Sequence, residues 1–357
     1  MTDLLPAGAT IGILGGGQLG RMLSVAAARL GYRSHIYEPA AGAPAGDVAH
    51  QVTTASYEDA GALAAFAAAV DVVTYEFENV PTAALDAIEA LRPIRPGRRA
   101  LAVSQDRLVE KAFLADLGLA TAPFAAVDDE VDLAEAIGEI GVPGILKTRR
   151  FGYDGKGQAR IGAASEAEAA LVAMNGAAAI YEGFVTFSRE VSVIAARGVS
   201  GEVAAYDPGE NLHRDGILRR TTVPARLGAS ERADAVLTAG KILNALDYVG
   251  VMGVELFVTG AGLVVNEIAP RVHNSGHWTQ NGCAVDQFEQ HIRAVAGWPL
   301  GNGARHADVV MENLIGDDIA RVEDLARAAD TAIHLYGKAE ARPGRKMGHV
   351  NRITGRA

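Results

Sequence analysis

Residues 249–267 read Val249-Gly-Val-Met-Gly-Val-Glu255-Leu-Phe-Val-Thr259-Gly-Ala-Gly-Leu263-Val-Val-Asn266-Glu267. Two runs rich in β-branched residues flank a Gly-Ala-Gly turn, the pattern of a β-hairpin. Pairing Thr259 with Leu263 sets Glu255 directly opposite Glu267, with both side chains on one face and Cβ atoms roughly 5 Å apart. Like charges that close repel, so either one carboxyl keeps its proton or a cation lies between them. Hard oxygen ligands with Asn266 alongside suit Mg²⁺ better than zinc. Phosphate chemistry becomes the leading question.

The second strand runs on into Ala269-Pro-Arg271-Val-His273-Asn274-Ser-Gly276-His277-Trp-Thr279. If buried, each of these polar side chains needs a partner. The segment is either an exposed loop or a wall for carboxylate and phosphate oxygens, which an arginine, two histidines and amide and hydroxyl donors suit. Upstream, an apolar run over 142–148 ends near Lys147 and leads into Phe151-Gly152-Tyr153-Asp154-Gly155-Lys156-Gly157-Gln158. Glycines let backbone N–H groups approach phosphate oxygens, with Lys147 as a point charge behind them. The alternative is a solvated surface loop, and the spacing is not that of a Walker motif. Between two extended pieces within 177–196, Glu182-Gly183-Phe184-Val185 offers a backbone edge for a base and Glu190 a carboxylate for ribose hydroxyls. The bland reading is a core segment beside a charged surface residue.

Toward the amino terminus, 11–14, 33–37 and 71–75 read as strands and 19–30 as a helix. This βα alternation calls for a parallel sheet covered by helices. Gly15-Gly16-Gly17-Gln18-Leu19-Gly20 meets the G-x-G-x-x-G spacing between strand and helix, and Glu38 ends the next strand. By rule this is a dinucleotide fingerprint, but the same turn serves other phosphates at a helix terminus, or packing alone. Glu76 and Asn79 follow a parallel strand at the end where ligands gather; each contacts an amine or ribose hydroxyls, or caps the helix after Pro81. Arg92-Pro-Ile-Arg-Pro-Gly97 marks a boundary. Ser104 is placed to cap a helix to about residue 117, helices are expected over 230–246 and 285–296, and a strand over 331–336 is followed by basic turns.

The 357 residues, 49% hydrophobic, suffice for two or three domains. With 43 acidic and 33 basic residues the formal charge is −10, which argues against a general nucleic-acid surface. Local clusters such as Lys147-Thr-Arg-Arg150 and Arg342-Pro-Gly-Arg345-Lys346 still set the field inside a cleft. Apolar stretches break well short of about 20 residues, so no membrane span is expected. The opening Met1-Thr-Asp-Leu-Leu-Pro6 lacks the features of a secretory signal, which gives a cytoplasmic expectation. Cys283, alone, excludes an internal disulfide and a multi-thiolate zinc site, and reads as a buried small side chain rather than a catalytic thiol.

Gly12-Ile-Leu-Gly-Gly-Gly-Gln-Leu-Gly-Arg-Met22, Tyr75-Glu-Phe-Glu-Asn79, Gln105-Asp-Arg107, the 151–158 loop, Asn266-Glu-Ile-Ala-Pro-Arg-Val-His-Asn-Ser-Gly-His-Trp278 and Lys346-Met-Gly-His349 together resemble the ATP-grasp family. The resemblance spans nearly the whole chain and points within that family to the ATP-dependent carboxylases of purine synthesis. It implies a mixed α/β and α+β fold: an open parallel-sheet, Rossmann-like domain over 1–99 that binds the ribonucleotide, a central ATP-grasp domain with a lid over 100–298, and a small carboxy-terminal domain over 299–357. It also implies a homodimer. The reaction implied is carboxylation of 5-aminoimidazole ribonucleotide by bicarbonate, driven by ATP with Mg²⁺ through carboxyphosphate.

Carried over by motif, the ATP shell is Arg107, Lys147, Gly152, Tyr153, Asp154, Gly155, Lys156, Gly157, Gln158, Glu182, Gly183, Phe184, Val185, Glu190, His213, Asn266 and Glu267. Glu255 and Glu267 hold the metal. Lys147, Arg271, His273 and Asn274 carry the chemistry. Gly17, Gln18, Leu19, Glu76, Asn79, Arg271, Arg345 and Lys346 face the ribonucleotide, which displaces the dinucleotide reading of the glycine loop.

Overall fold

The computed structural model describes residues 4–152 and 155–356, so Tyr153 and Asp154 of the expected nucleotide loop lie outside the described residues. Strands β1 (Thr10–Leu14), β2 (Arg33–Tyr37), β3 (Gln51–Thr53) and β4 (Val72–Tyr75) form a parallel sheet in the order β3-β2-β1-β4. Ile11, Ile13 and Val72 pack toward helix Gln18–Arg29, while Leu14, Val73 and Tyr75 join Phe66, Leu85 and Ile88 on the other side. Burial on both faces explains the continuous apolar runs. It also brings Gly15, Glu38 and Glu76 to the same edge, beyond the strand ends.

A second sheet is antiparallel, β5 (Phe124–Val127), β6 (Gly144–Thr148), β7 (Gln158–Ile161) and β8 (Ala179–Gly183), in the order β5-β8-β6-β7. Its register pairs Ile145 with Glu182 and Lys147 with Ile180, so Lys147 and Glu182 stand diagonally on one face.

The third sheet holds nine strands among the described residues: β9 (Arg189–Arg197), β10 (Val203–Ala205), β11 (Gly209–Arg214), β12 (Ile217–Val223), β13 (Gly250–Thr259), β14 (Gly262–Ala269), β15 (Ala307–Ile315), β16 (Thr331–Leu335) and β17 (Lys346–Arg356). The order is β14-β13-β9-β11-β12-β15-β17-β16, with β10 also on β9. Because β15 pairs with β12, the strands beyond residue 299 extend the central sheet.

The structure corrects three details. In the hairpin Thr259 pairs with Gly262, not Leu263, and the register shifts between Glu255 and Leu256 so that Glu255 still faces Glu267. A two-residue turn alone would send Glu267 to the opposite face, and one extra residue at Asn266, a β-bulge, reverses that slip. The 107–116 helix is capped by Asp106, whose Oδ1 accepts from Leu108 and Val109, whereas Ser104 Oγ donates back to Leu101 within the preceding helix. The basic turns near the end give way to the long strand β17, whose buried His349 and Asn351 are met by Tyr336 Oη and Asn281.

His291, in helix Gln287–Ala296, joins the amino-terminal sheet to the central one. Its Nδ1 accepts from Val251 N–H at 3.1 Å, which leaves Nε2–H to donate to Thr74 Oγ1 at 2.7 Å. Burial drives its proton affinity from 6.5 down to about 3. A group that refuses a proton only in the folded state contributes stability that is complete above about pH 6.5 and lost as pH falls below it. His291→Gln should therefore cost about 1–3 kcal/mol of unfolding free energy at about pH 7.5. The deficit should shrink by at least about 1 kcal/mol at about pH 5.5. Denaturant titrations at the two pH values check this, and an equal deficit at both contradicts it.

Candidate functional site

β13 and β14 bring Glu255 and Glu267 face to face, with the Asn266 side chain near enough to Glu255 to favour its ionised form. Glu255 is largely covered, with 15% of its side chain exposed, whereas Glu267 at 38% opens into the cleft. Arg107 donates Nη1 to Glu267 at 2.9 Å and Nη2 to Gly152 O at 3.3 Å, tying the hairpin to the glycine loop. Desolvation disfavours charge on both glutamates. At Glu267 the Arg107 guanidinium more than offsets it and holds the carboxyl below its ordinary range; at Glu255 the facing Glu267 charge adds to it and pushes the carboxyl up. A divalent cation would relieve that repulsion, and two carboxylates with an amide on one face fit Mg²⁺. Among the described residues no group of three His, Cys, Asp or Glu side chains is disposed to hold a metal. Nucleotide phosphate oxygens and water would have to complete the coordination.

Across the cleft Lys147 Nζ lies 3.0 Å from Glu182 Oε2, and the buried Lys111 Nζ reaches the same oxygen at 3.5 Å. Burial lowers the proton affinity of Lys147; at Glu182 burial is outweighed by the two ammonium groups, which keep it ionised. Glu182 Oε1 is buried without a protein partner. The backbone edge expected over 182–185 is partly used inside the protein, since Gly183 N–H donates to Pro123 O and Phe184 N–H to Pro143 O. Val185 follows, half-buried, and Phe184 lies under the Arg160 guanidinium, 4.7 Å from its ring. Glu190 on β9 meets His213 Nδ1 at 2.8 Å. Burial alone would discharge His213, but Glu190 and Glu255 raise its proton affinity. In the glycine loop Gly157 O accepts from Thr148, Gln158 begins β7, and Gly155, at φ +78°, passes so close to the β11–β12 turn that an added Cβ would stand 3.2 Å from Gly216 Cα. Lys156 sits on that same turn of chain, exposed.

The polar segment after β14 is folded in and largely satisfied. Arg271 pairs with Glu78 at 2.8 Å. Gln287 clamps the His273 backbone, accepting its N–H at 2.9 Å and donating to its carbonyl at 2.8 Å, with Nε2 also 2.9 Å from His277 Nδ1. Ser192 Oγ donates to Ser275 Oγ at 2.7 Å, so the Ser275 hydroxyl donates to His273 Nδ1 at 2.8 Å. The Nε2–H of His273 then points to Glu255, 3.5 Å away. Burial, reinforced by Arg271, takes His273 down to about 3, so its ring is neutral. Both polar atoms of the Asn274 side chain are buried without a protein partner.

At the amino-terminal edge, Gly16 N–H donates to Glu38 Oε2 at 2.7 Å and Gly17 N–H to Glu76 Oε1 at 2.6 Å. The start of the helix beginning at Gln18 and Leu19 is thus lined by carboxylates, and a Cβ on Gly17 would stand 2.8 Å from Glu76. Burial pushes Glu76 up to about 7 despite the Gly17 bond, Arg271 and Lys338. Asn79 sits half-buried in the turn after β4. Lys346, at the start of β17, lies near His273, and Arg345 beside it donates to Glu340 O. Lys338 reaches Lys346 O at 2.7 Å. Cys283 lies apart from these groups, buried, with its thiol pushed up to about 12 chiefly by burial.

Glu78, Lys111, Gln287 and Lys338 are the residues that sequence reasoning missed. Lys111 had a signal, since four residues after Arg107 it shares that helix face. Gln287 had none, as its partners lie 14 and 10 residues away in a loop.

Paired carboxylates on a β-hairpin, a lysine on a neighbouring antiparallel sheet and a glycine loop between them define an ATP-grasp enzyme. The chain matches the ribonucleotide synthetase preATP-grasp domain over residues 8–105, the ATP-grasp domain over 112–288 and the phosphoribosylaminoimidazole carboxylase C-terminal domain over 309–356. It is 58% identical to the N5-carboxyaminoimidazole ribonucleotide synthase of Brucella melitensis biotype 1, with 99% of each chain covered. Among solved structures, the ADP complex of an N5-carboxyaminoimidazole ribonucleotide synthetase superposes with a TM-score of 0.96 at 41% identity, covering 99% of this chain and 94% of the other. The Aspergillus clavatus synthase in complex with ADP and 5-aminoimidazole ribonucleotide gives 0.92 at 31% identity, covering 98% and 94%. The chain belongs to the N5-carboxyaminoimidazole ribonucleotide synthase family of ATP-dependent ligases.

The Gln287 clamp yields a kinetic test. Gln287→Leu leaves the His273 N–H unsatisfied and frees the loop, so kcat should fall by about 10- to 100-fold, while ADP affinity, measured by calorimetry, stays within about threefold. An ADP affinity that falls in step with kcat would contradict the assignment of the clamp to the chemical loop.

Proposed function

We propose that this chain carboxylates 5-aminoimidazole ribonucleotide with bicarbonate at the cleft described above, consuming ATP and releasing ADP, phosphate and N5-carboxyaminoimidazole ribonucleotide in purine biosynthesis. The observation that carries the reading is Arg107, whose single guanidinium spans the glycine loop and the carboxylate hairpin. The two motifs therefore address one ligand. A phosphate chain held between them is the arrangement that fits.

A bicarbonate oxygen attacks the γ-phosphorus, ADP leaves, and the product is carboxyphosphate. The exocyclic amine then attacks its carbon, directly or after release of CO₂, with loss of phosphate and of one amine proton. Mg²⁺, held by Glu255 and Glu267 with Asn266 alongside, would supply charge neutralisation on the phosphate oxygens. Lys147 serves the same transferred group by turning from Glu182. Arg271, braced by Glu78, holds bicarbonate and then carboxyphosphate. His273, neutral with its proton on Nε2, orients oxygens by donation, and Asn274 offers its unpartnered amide beside it. Glu182 to Val185, with Glu190 and His213, form the adenosine side, and Gly152 to Gln158 cover the phosphates, limiting attack by water.

The carboxylate-lined turn at Gly17, Gln18 and Leu19 suits hydroxyls and an amine better than a phosphate. We therefore place the substrate's ribose and amine at Glu76 and Asn79, and its phosphate at the basic wall of Arg345, Lys346 and Lys338. Glu76, with a proton affinity near neutrality, is suited to take the amine's proton. The proposal includes functional parts at 1–99, 100–298 and 299–357, a homodimer and a cytoplasmic address. No described helix is long and apolar enough to cross a membrane.

ADP release by the purified protein tests this. Release should require Mg²⁺, bicarbonate and aminoimidazole ribonucleotide together; turnover of glycinamide ribonucleotide with formate, or none with the full set, contradicts it. In the same assay Glu76→Gln should abolish the rise of kcat/KM through about pH 7 that an ionising base imposes; an unchanged profile removes Glu76 from that role.

A further inference from the structure

β14 is the last strand of the central sheet, with β13 on one side and, on the other, a single bridge between Val265 and Thr121. A bulged edge strand leaves backbone groups that neither neighbour satisfies. Here the helix Arg107–Asp116 runs along the open side, and two consecutive side chains fill the missing ladder. Glu110 Oε1 accepts from Ile268 N–H at 2.5 Å, and Lys111 Nζ donates to Asn266 O at 2.7 Å and to Val265 O at 3.4 Å. Ala120 O accepts from Val265 N–H just before them. Glu110 and Lys111 are 2% and 1% exposed, so both are desolvated polar groups, and burial pushes the Glu110 carboxyl up to about 8.

A buried ammonium needs compensation. Lys111 finds it at Glu182 Oε2, 3.5 Å away, the same oxygen that Lys147 holds at 3.0 Å. One side chain thus touches the backbone of the carboxylate hairpin and the partner of the nucleotide lysine. It makes no contact with Glu255 or Glu267 themselves.

We infer that Lys111, aided by Glu110, is a positioning residue that pins the bulge at Asn266 and thereby keeps Glu267 aimed at Glu255. A register slip of one residue turns every following side chain to the other face. The bulge sets Glu267 on the side where Arg107 meets it, and Lys111 grips the carbonyls on which the bulge is built. The inference rests on the reading of the two glutamates as the cation site.

The test compares Lys111→Met, of similar length but without charge, with Leu114→Ala, a truncation on the same helix that loses apolar packing in the cluster shared with β14 but removes no hydrogen bond to it. For each variant and for Glu267→Gln, the apparent Mg²⁺ constant for ADP release is measured, together with hydrogen exchange of the metal-free protein. Lys111→Met should raise the Mg²⁺ constant by about 10- to 100-fold and speed exchange of the 265–268 amides by about tenfold or more over those of β13. Leu114→Ala should shift neither selectively. Unchanged values in Lys111→Met, or equal shifts in the two helix variants, overturn the inference. If Glu267→Gln raises the constant and Lys111→Met does not, the positioning role fails alone; if neither does, the cation reading fails with it. Exchange in the parent decides the matter even if the variant does not fold: the Ile268 amide should be as protected as interior β13 amides, and exchange at the rate of a free edge overturns the inference.

Discussion

Two glutamates face each other across one rung of the central sheet, and the surrounding structure is organised to tolerate and use that repulsion. Glu255 is mostly covered and resists ionisation, while Glu267 is kept ionised by Arg107. An isolated protein would relieve such a pair by moving one side chain away. This one fixes both: the bulge fixes the face, the Asn266 amide stands beside Glu255, and His273 offers its Nε2 from the side. That stored repulsion would give a divalent cation its affinity for the cleft.

The Gln105-Asp106-Arg107 sequence connects that pair to the rest of the molecule. Gln105 donates to Glu78 O and Val80 O of the amino-terminal domain, Asp106 caps the helix and takes Arg149 at 2.7 Å, and Arg107 reaches Glu267 and Gly152. Three consecutive residues therefore hold the turn after β4, the end of β6 and the carboxylate hairpin in one frame. The carboxy-terminal strands complete it. The His277 ring lies tilted 4.6 Å from His349, which stacks 4.5 Å from His334, so the loop bearing Arg271 and His273 is packed against β16 and β17.

The opposed glutamates were legible in the sequence because two charges in an otherwise apolar β-run demand an explanation, and strand pairing is a two-residue code. The turn register was not, since Gly-Ala-Gly fits loops of two or three residues and the compensating bulge has no local signature. Apolar strands of the amino-terminal sheet were readable for the reason that they are buried on both faces. β17 was not, because its buried His349 and Asn351 are made tolerable by Tyr336 and Asn281, partners that local patterning does not reveal. The helix cap was misplaced by two residues because serine and aspartate cap equally well, and only the pull of Arg149 distinguishes Asp106. At the glycine loop the spacing did not reveal the chemistry: Glu38 and Glu76 take the Gly16 and Gly17 N–H groups that a phosphate would need.

The central claim is that the hairpin carboxylates jointly hold a divalent ion at the nucleotide's terminal phosphates. A crystal structure of the protein with ADP and Mn²⁺ in place of Mg²⁺, read from the anomalous signal, tests it most directly. The account predicts a metal peak between Glu255 and Glu267 at about 2.0–2.2 Å from an oxygen of each, with phosphate oxygens completing the shell. A peak elsewhere, or a nucleotide-bound protein in which Glu267 has turned to the other face of β14, would contradict it.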